Sequence, residues 1–262
     1  MKILVKKNYR EVSLCAAMKV AELVRSRPAA VLGLATGKTP LGTYRHLIRL
    51  HTEGLDFSRV RTFNLDEYLG IGLDLDKSYA RDQSYARFMY EEFFKHVNIP
   101  QKNIYIPDGL TKDPEKHCRG YEAQIKKEGG IDLQILGIGR VGHWAFNEPG
   151  SSLDSRTRVQ PLAVETQDDN YKKFYKNAGI PREEMPHFAI TMGVGTILES
   201  RAILMIGTGA EKSAIVAQAL EGPVTTDVTA SSIQIFKGEA VVILDRKAAS
   251  RLSGFRDHPG RE

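Results

Sequence analysis

Four segments of this chain carry side chains able to do chemistry. The first reads Ala35-Thr36-Gly37-Lys38-Thr39-Pro40. Glycine lets a backbone approach a ligand closely, and a helix opening near Thr39-Pro40 would turn its N-terminus toward a phosphate. The same residues also suit an ordinary strand-to-helix turn with Thr39 as its N-cap. The second segment, Asn64-Leu65-Asp66-Glu67-Tyr68, places an Asp where an apolar strand ends, the position of a general base or of a simple turn residue. The third runs from Gly137 to Gly150 and holds four glycines with His143 and Glu148. A His five residues from a Glu can form a tuned acid–base pair, or the His can be a structural hydrogen-bonder. The fourth, Gly207-Thr208-Gly209-Ala210-Glu211-Lys212, ends on a lysine that is either an anion ligand or a solvated first-turn residue.

Two familiar nucleotide motifs are approached and missed. From Gly33 to Thr39 the spacing is G-x-x-x-G-K-T, one residue short of a P-loop, and Pro40 follows. Gly137, Gly139 and Gly142 have dinucleotide-loop spacing, but His143-Trp144 follows them instead of a helical pattern. Nor does an acidic strand end follow about 20 residues later.

These segments must be held by the elements around them. Apolar, β-branched runs near residues 3–5, 30–35, 60–65, 133–137, 188–192, 203–207 and 240–244 predict strands. Helical patterns near 9–26, 40–52, 84–96, 113–127, 195–200 and 210–220 alternate with them. Such alternation predicts a three-layer α/β/α fold around a mostly parallel, modified Rossmann-like sheet. Its ligands bind beyond the carboxyl ends of the strands. Residues 1–262 are expected to form one domain, since 42% hydrophobic content supports one sizeable core. The segment 70–83 is long and polar, the character of a functional lid.

Composition narrows the partners. Lys and Arg number 37 against 32 Asp and Glu, a net charge of +5, which favours anionic ligands. The basic residues are interleaved with acids, so a nucleic-acid partner is not expected. Cys15 and Cys118 have no C-x-x-C neighbours, which argues against zinc or a disulfide framework. Without a signal-peptide pattern or a run of about 20 apolar residues, a soluble cytoplasmic protein with no membrane partner is expected.

Taken together the segments resemble the glucosamine-6-phosphate deaminase family. Its phosphate-loop pattern is similar to Leu34-Ala35-Thr36-Gly37 with Thr39-Pro40, and its base-bearing pattern to Asn64–Tyr68. Its most specific stretch is similar to Gly142-His143 with Ala145-Phe146-Asn147-Glu148-Pro149. Further similarity lies at Ser155-Arg156-Thr157-Arg158, at Thr191–Thr196, at Leu220-Glu221-Gly222 and at Ala230-Ser231-Ser232. The resemblance implies conversion of glucosamine 6-phosphate to fructose 6-phosphate and ammonia without a cofactor or metal. Asp66 would move a proton from C2 to C1. His143, held by Glu148, would open the ring. Thr36, Gly37, Lys38, Thr39, Gly137 and Lys212 would hold the substrate and its phosphate, with Lys172 where the family has an Arg.

Four positions depart from the family. Val141 stands where relatives carry Asp or Asn beside the ring-opening His, a degenerate catalytic position. Lys38, Trp144 and Phe236 replace a small residue, a smaller aliphatic one and a His. Some relatives are hexamers activated by N-acetylglucosamine 6-phosphate between subunits. That site reads here as vestigial, with Ser151 and Arg158 retained but Gln160 and Pro161 in place of Lys and Thr. A homo-oligomer is left open. Two alternatives are a sugar-phosphate-binding sensor and a 6-phosphogluconolactonase-like hydrolase of the same fold.

Overall fold

The computed structural model describes residues 1–73 and 83–256. The strands are β1 (Lys2–Lys6), β2 (Val31–Leu34), β3 (Arg61–Asn64), β4 (Asp66–Tyr68), β5 (Ile104–Tyr105), β6 (Leu133–Leu136), β7 (Arg158–Pro161), β8 (Phe188–Thr191), β9 (Ala202–Gly207) and β10 (Glu239–Asp245). The α-helices are α1 (Tyr9–Ser26), α2 (Lys38–Thr52), α3 (Tyr85–Glu92), α4 (Pro114–Lys127), α5 (Val164–Asn170), α6 (Val194–Leu198), α7 (Ser213–Glu221) and α8 (Ser253–Arg256).

Seven strands form a sheet in the order β1-β10-β9-β6-β2-β3-β5, and every neighbouring pair is parallel. Alternate residues of each strand enter opposite cores, as the period of two requires. In β9, Ile203 and Met205 join one core, and Leu204 and Ile206 join the other. The first core is closed by Tyr121 and Ile125 of α4 and by Val216 and Leu220 of α7. The second is closed by Val12, Ala16 and Val20 of α1 and by Tyr44 and Leu47 of α2. The i, i+4 spacing in α1 gives one apolar stripe, and Asn8 caps the helix by accepting from Glu11 N at 3.1 Å. This is the expected three-layer α/β/α arrangement.

The strand expected at 188–192 is not part of the parallel sheet. It forms β8 at the centre of a separate antiparallel sheet of order β4-β8-β7. Its flanking strands read Asp-Glu-Tyr and Arg-Val-Gln-Pro, and no apolar run marks them as strands. A third apolar cluster packs against this sheet, formed by Tyr68, Ile71, Phe146, Leu162 and Ala189. The helix α5 and the two-residue strand β5 also escaped the sequence patterns. Most of the proposed lid, residues 74–82, lies outside the described residues. Among the described residues no helix is long and apolar enough to cross a membrane.

Candidate active site

The chain leaves β2 toward β3 and β5 on one side and returns to β6 on the other. The loops after β2 and β6 therefore diverge and open a crevice at a topological switch point. A cavity of about 200 Å³ lies there. Thr36, Gly37, Lys38 and Thr39 line it from the first loop. Asp66, Gly137 and His143 line it from the others, and Tyr85 completes the wall.

The loop after β2 is built to present bare backbone. Gly37 is the N-cap of α2, with φ of 110°, a left-handed conformation that favours glycine. It displaces Thr39 from the capping role expected of it, and among the described residues no side chain caps the helix. The first-turn N–H groups are left for an anion. The Tyr9 hydroxyl secures this turn, donating to Lys38 O at 2.8 Å and accepting from Gly42 N at 2.7 Å. Tyr44 pins the start of the loop through Ala35 O at 2.6 Å.

Asp66 is the first residue of β4 and is buried. Burial, and secondarily the neighbouring Glu67, push its carboxyl well above the usual carboxylate range. Glu67 points elsewhere. It accepts from Tyr85 N at 3.0 Å, Ala86 N at 2.8 Å and the Ser84 hydroxyl at 2.9 Å, so it caps α3. Burial raises it to about 7 against the pull of those hydrogen bonds. Two adjacent carboxylates thus divide into one facing the cavity and one holding the helix that brings Tyr85 to it.

His143 and Glu148 come together as expected, with Nδ1 and Oε2 3.2 Å apart. The two atoms are in close contact, but the ring nitrogen makes no aligned hydrogen bond to the carboxylate. Burial works against ionisation of Glu148. The adjoining His143 and the Thr166 hydroxyl, 2.9 Å from Oε1, outweigh it and hold the carboxyl below its usual value. Ala145, two residues beyond His143, has φ of 51°, unusual for a residue with a Cβ.

Other expected residues fall outside the cavity wall. Lys172 is exposed on a wide helical turn, Tyr171–Tyr175, and does not line the cavity. Lys212 is half-buried on the turn after β9. Burial lowers its pKa, Glu211 raises it and Arg140 lowers it further, so its charge is felt by the loop after β6. Val141 is 43% exposed. Trp144 is fully buried in the first core, its indole N–H without a hydrogen-bond partner among the described residues, and Phe236 packs against the same core. Arg158 donates to Asn147 Oδ1 at 2.9 Å, to the Ser151 hydroxyl at 2.9 Å and to Gln160 Oε1 at 2.8 Å.

Tyr85, Thr166 and the strained Ala145 were not identified from the sequence. Each acts through a partner far along the chain or through a backbone angle, which residue spacing does not encode. A wider groove of about 770 Å³ includes Glu122 and Glu199. Arg156 bridges both carboxylates, leaving no unpaired acid–base couple there. Among the described residues no three His, Cys, Asp or Glu side chains are grouped to hold a metal.

Known proteins resemble this chain over most of its length. The family model for glucosamine-6-phosphate isomerases/6-phosphogluconolactonase matches residues 9–242. A glucosamine-6-phosphate deaminase of Thermoanaerobacter sp. (strain X514) is 44% identical over 251 residues, 95% of this chain and 94% of that protein. One from Clostridium perfringens (strain ATCC 13124) is 42% identical, covering 96% of this chain and all of the relative. A solved structure described as a monomeric glucosamine-6-phosphate deaminase superposes with a TM-score of 0.87 at 42% identity, covering 96% of this chain and 100% of the other. The 6-phosphogluconolactonase of Trypanosoma brucei shares the fold, with a TM-score of 0.73 at 22% identity over 96% of this chain and 98% of its own. The chain belongs to the family of glucosamine-6-phosphate isomerases and 6-phosphogluconolactonases.

Proposed function

We propose that this chain deaminates glucosamine 6-phosphate, giving fructose 6-phosphate and ammonia from the amino sugar and one water. The observation that carries the reading is the convergence of a buried carboxylate, Asp66, and a His–carboxylate pair, His143–Glu148, beside an uncapped helix N-terminus. The phosphate rests on the loop from Thr36 to Thr39, with Lys38 and Lys212 supplying positive charge.

His143 carries a proton from the O1 hydroxyl to O5, opening the ring to the aldehyde, while Glu148 stabilises the charged imidazole. Asp66 removes the C2 proton and returns it to C1. The double bond moves from C1–O to C2–N through an enolamine, as O1 gains a proton and the substrate's ammonium group gives one up. Water then adds to the C2 imine and ammonia leaves. A base with a raised pKa is the stronger proton acceptor for this carbon acid.

Incubating the protein with glucosamine 6-phosphate and measuring ammonia and fructose 6-phosphate tests the reading. Equimolar release is the expected result. Tight binding without ammonia would favour a sensor, the reading that Val141 supports because valine offers no polar group to ring opening. Hydrolysis of 6-phosphogluconolactone without deamination would instead assign the chain to the hydrolase branch.

A further inference from the structure

The acid–base groups assigned above come from two different parts of the chain. Asp66 belongs to β4 of the small sheet, whereas His143 and Glu148 ride on the loop that leaves β6 of the large one. The small sheet supplies the link between them. Its ladders pair Asp66 with Thr191 and Thr191 with Arg158, so the three form one cross-strand row. Two members of that row grip the loop. The Thr191 hydroxyl accepts from Phe146 N at 3.1 Å, and Arg158 donates to Asn147 Oδ1 at 2.9 Å. Asn147 in turn donates to Met192 O, one residue after Thr191, at 2.9 Å. Thr191 is 0% exposed, so water cannot take over its role.

The point of attachment is telling. Phe146 directly follows Ala145, whose φ of 51° is a conformation that L-residues adopt reluctantly. Such a residue persists only where its surroundings over-determine it. Phe146 lies three residues after His143 and two before Glu148. Its ring stacks on Tyr85, with centroids 5.8 Å apart and planes 3° apart, and tilts against Tyr68 at 5.1 Å. Holding Phe146 N therefore fixes both the pair and the aromatic wall relative to Asp66.

We propose that Thr191 is a positioning residue for deamination: its hydroxyl clamps the backbone of the His143–Glu148 loop to the strand that carries Asp66, setting the separation of base and shuttle. The inference rests on the assignment of Asp66 as base and His143–Glu148 as shuttle. Thr191→Val keeps the shape and removes the acceptor. The Phe146 N–H is then buried without a partner, and the loop relaxes to recover one. A misplacement of about 1 Å costs on the order of 10²-fold in rate.

The test compares Thr191→Val and Thr191→Ser. Thr191→Val is expected to lose on the order of 10²-fold in kcat with KM for glucosamine 6-phosphate within about twofold, as remote phosphate contacts persist. Thr191→Ser restores most of that loss. Amide hydrogen exchange across residues 145–148, which needs no turnover, quickens in the valine variant and not in the serine one. If the valine variant does not fold, Thr191→Ala replaces it in both measurements. Parental kcat in the valine or alanine variant would overturn the proposal, as would a serine variant as slow as the valine one or exchange rates that do not change. If the parental protein releases no ammonia, the functional assignment fails separately, and the exchange measurement still decides whether Thr191 holds the loop.

Discussion

The His143 imidazole lies directly over Gly139: a Cβ built at position 139 would come within 2.2 Å of Nε2. Gly139 N also donates to His143 O at 2.9 Å, so one glycine holds the residue's backbone and floors its ring. Gly139→Ala is therefore expected to make the imidazole swing away from its position, a shift that the end of a side chain can make without disturbing the fold. On the order of 10²-fold should be lost from kcat while the fold is kept. Steady-state kinetics with a melting curve check this, and an alanine variant with parental kcat would mean that the ring has another productive position.

Asp66→Asn is expected to abolish exchange of the C2 proton with solvent while sparing binding of a phosphorylated sugar analogue. The amide keeps the size and cannot accept the proton, and a single base supplies about 10²–10⁴-fold. The direction of pH dependence follows from the same residue. Its pKa is raised by burial and by Glu67, and only the carboxylate works as base. As pH falls through that raised value the base is protonated, so the acid limb of kcat/KM should lie above the ordinary carboxylate value of about 4. A limb at or below that value would place the base elsewhere.

Lys212→Ala should raise KM for the phosphorylated sugar more than it lowers kcat. A charge on an unreacting phosphate acts equally in the ground and transition states. Titration of a parental and a variant sample with substrate gives both constants. A collapse in kcat at unchanged KM would instead assign Lys212 to the chemistry.

Val141→Asp should raise kcat on the closed-ring sugar, because a carboxylate there gives His143 a second acidic neighbour. The side chain is 43% exposed, so the change removes little packing and exposes the new charge to water. Rates from the cyclic substrate, measured against a melting curve, test it. No gain at parental stability would show that ring opening proceeds without that partner.

Activation by N-acetylglucosamine 6-phosphate is not expected, and the substrate curve should be hyperbolic. Arg158 is already occupied by Asn147, Ser151 and Gln160, all within the same chain. An activator phosphate would have to break these contacts without the charge-assisted bond that a Lys at position 160 would supply. A sigmoidal curve straightened by that compound would overturn this expectation.

The sequence by itself determined the layered fold and pointed to Asp66, His143 and the loop from Thr36 to Thr39 in the wall of the candidate cavity. The alternation of apolar runs with helical periods marked six of the seven parallel strands and the helices between them, because burial on both faces of a sheet demands it. Glycines, Asp66, His143 and Glu148 announced themselves at strand ends, where open α/β sheets bind ligands. Tertiary structure alone decided the rest. β4 and β7 are too short and polar to be marked by any period. They exist because β8 pairs with them and the Tyr68–Phe146 cluster covers their sheet. Glu67 stands next to Asp66 in the chain but turns away to hold the first turn of α3, a role set by where α3 begins in space. Gly139 resembled part of a nucleotide loop, yet its lack of a Cβ leaves room for an imidazole four residues on. Hydrogen bonds such as that of Thr191 to Phe146 join residues 45 apart in the chain. A contact at that range comes from the folded backbone bringing two loops together, and no local spacing of residues records it.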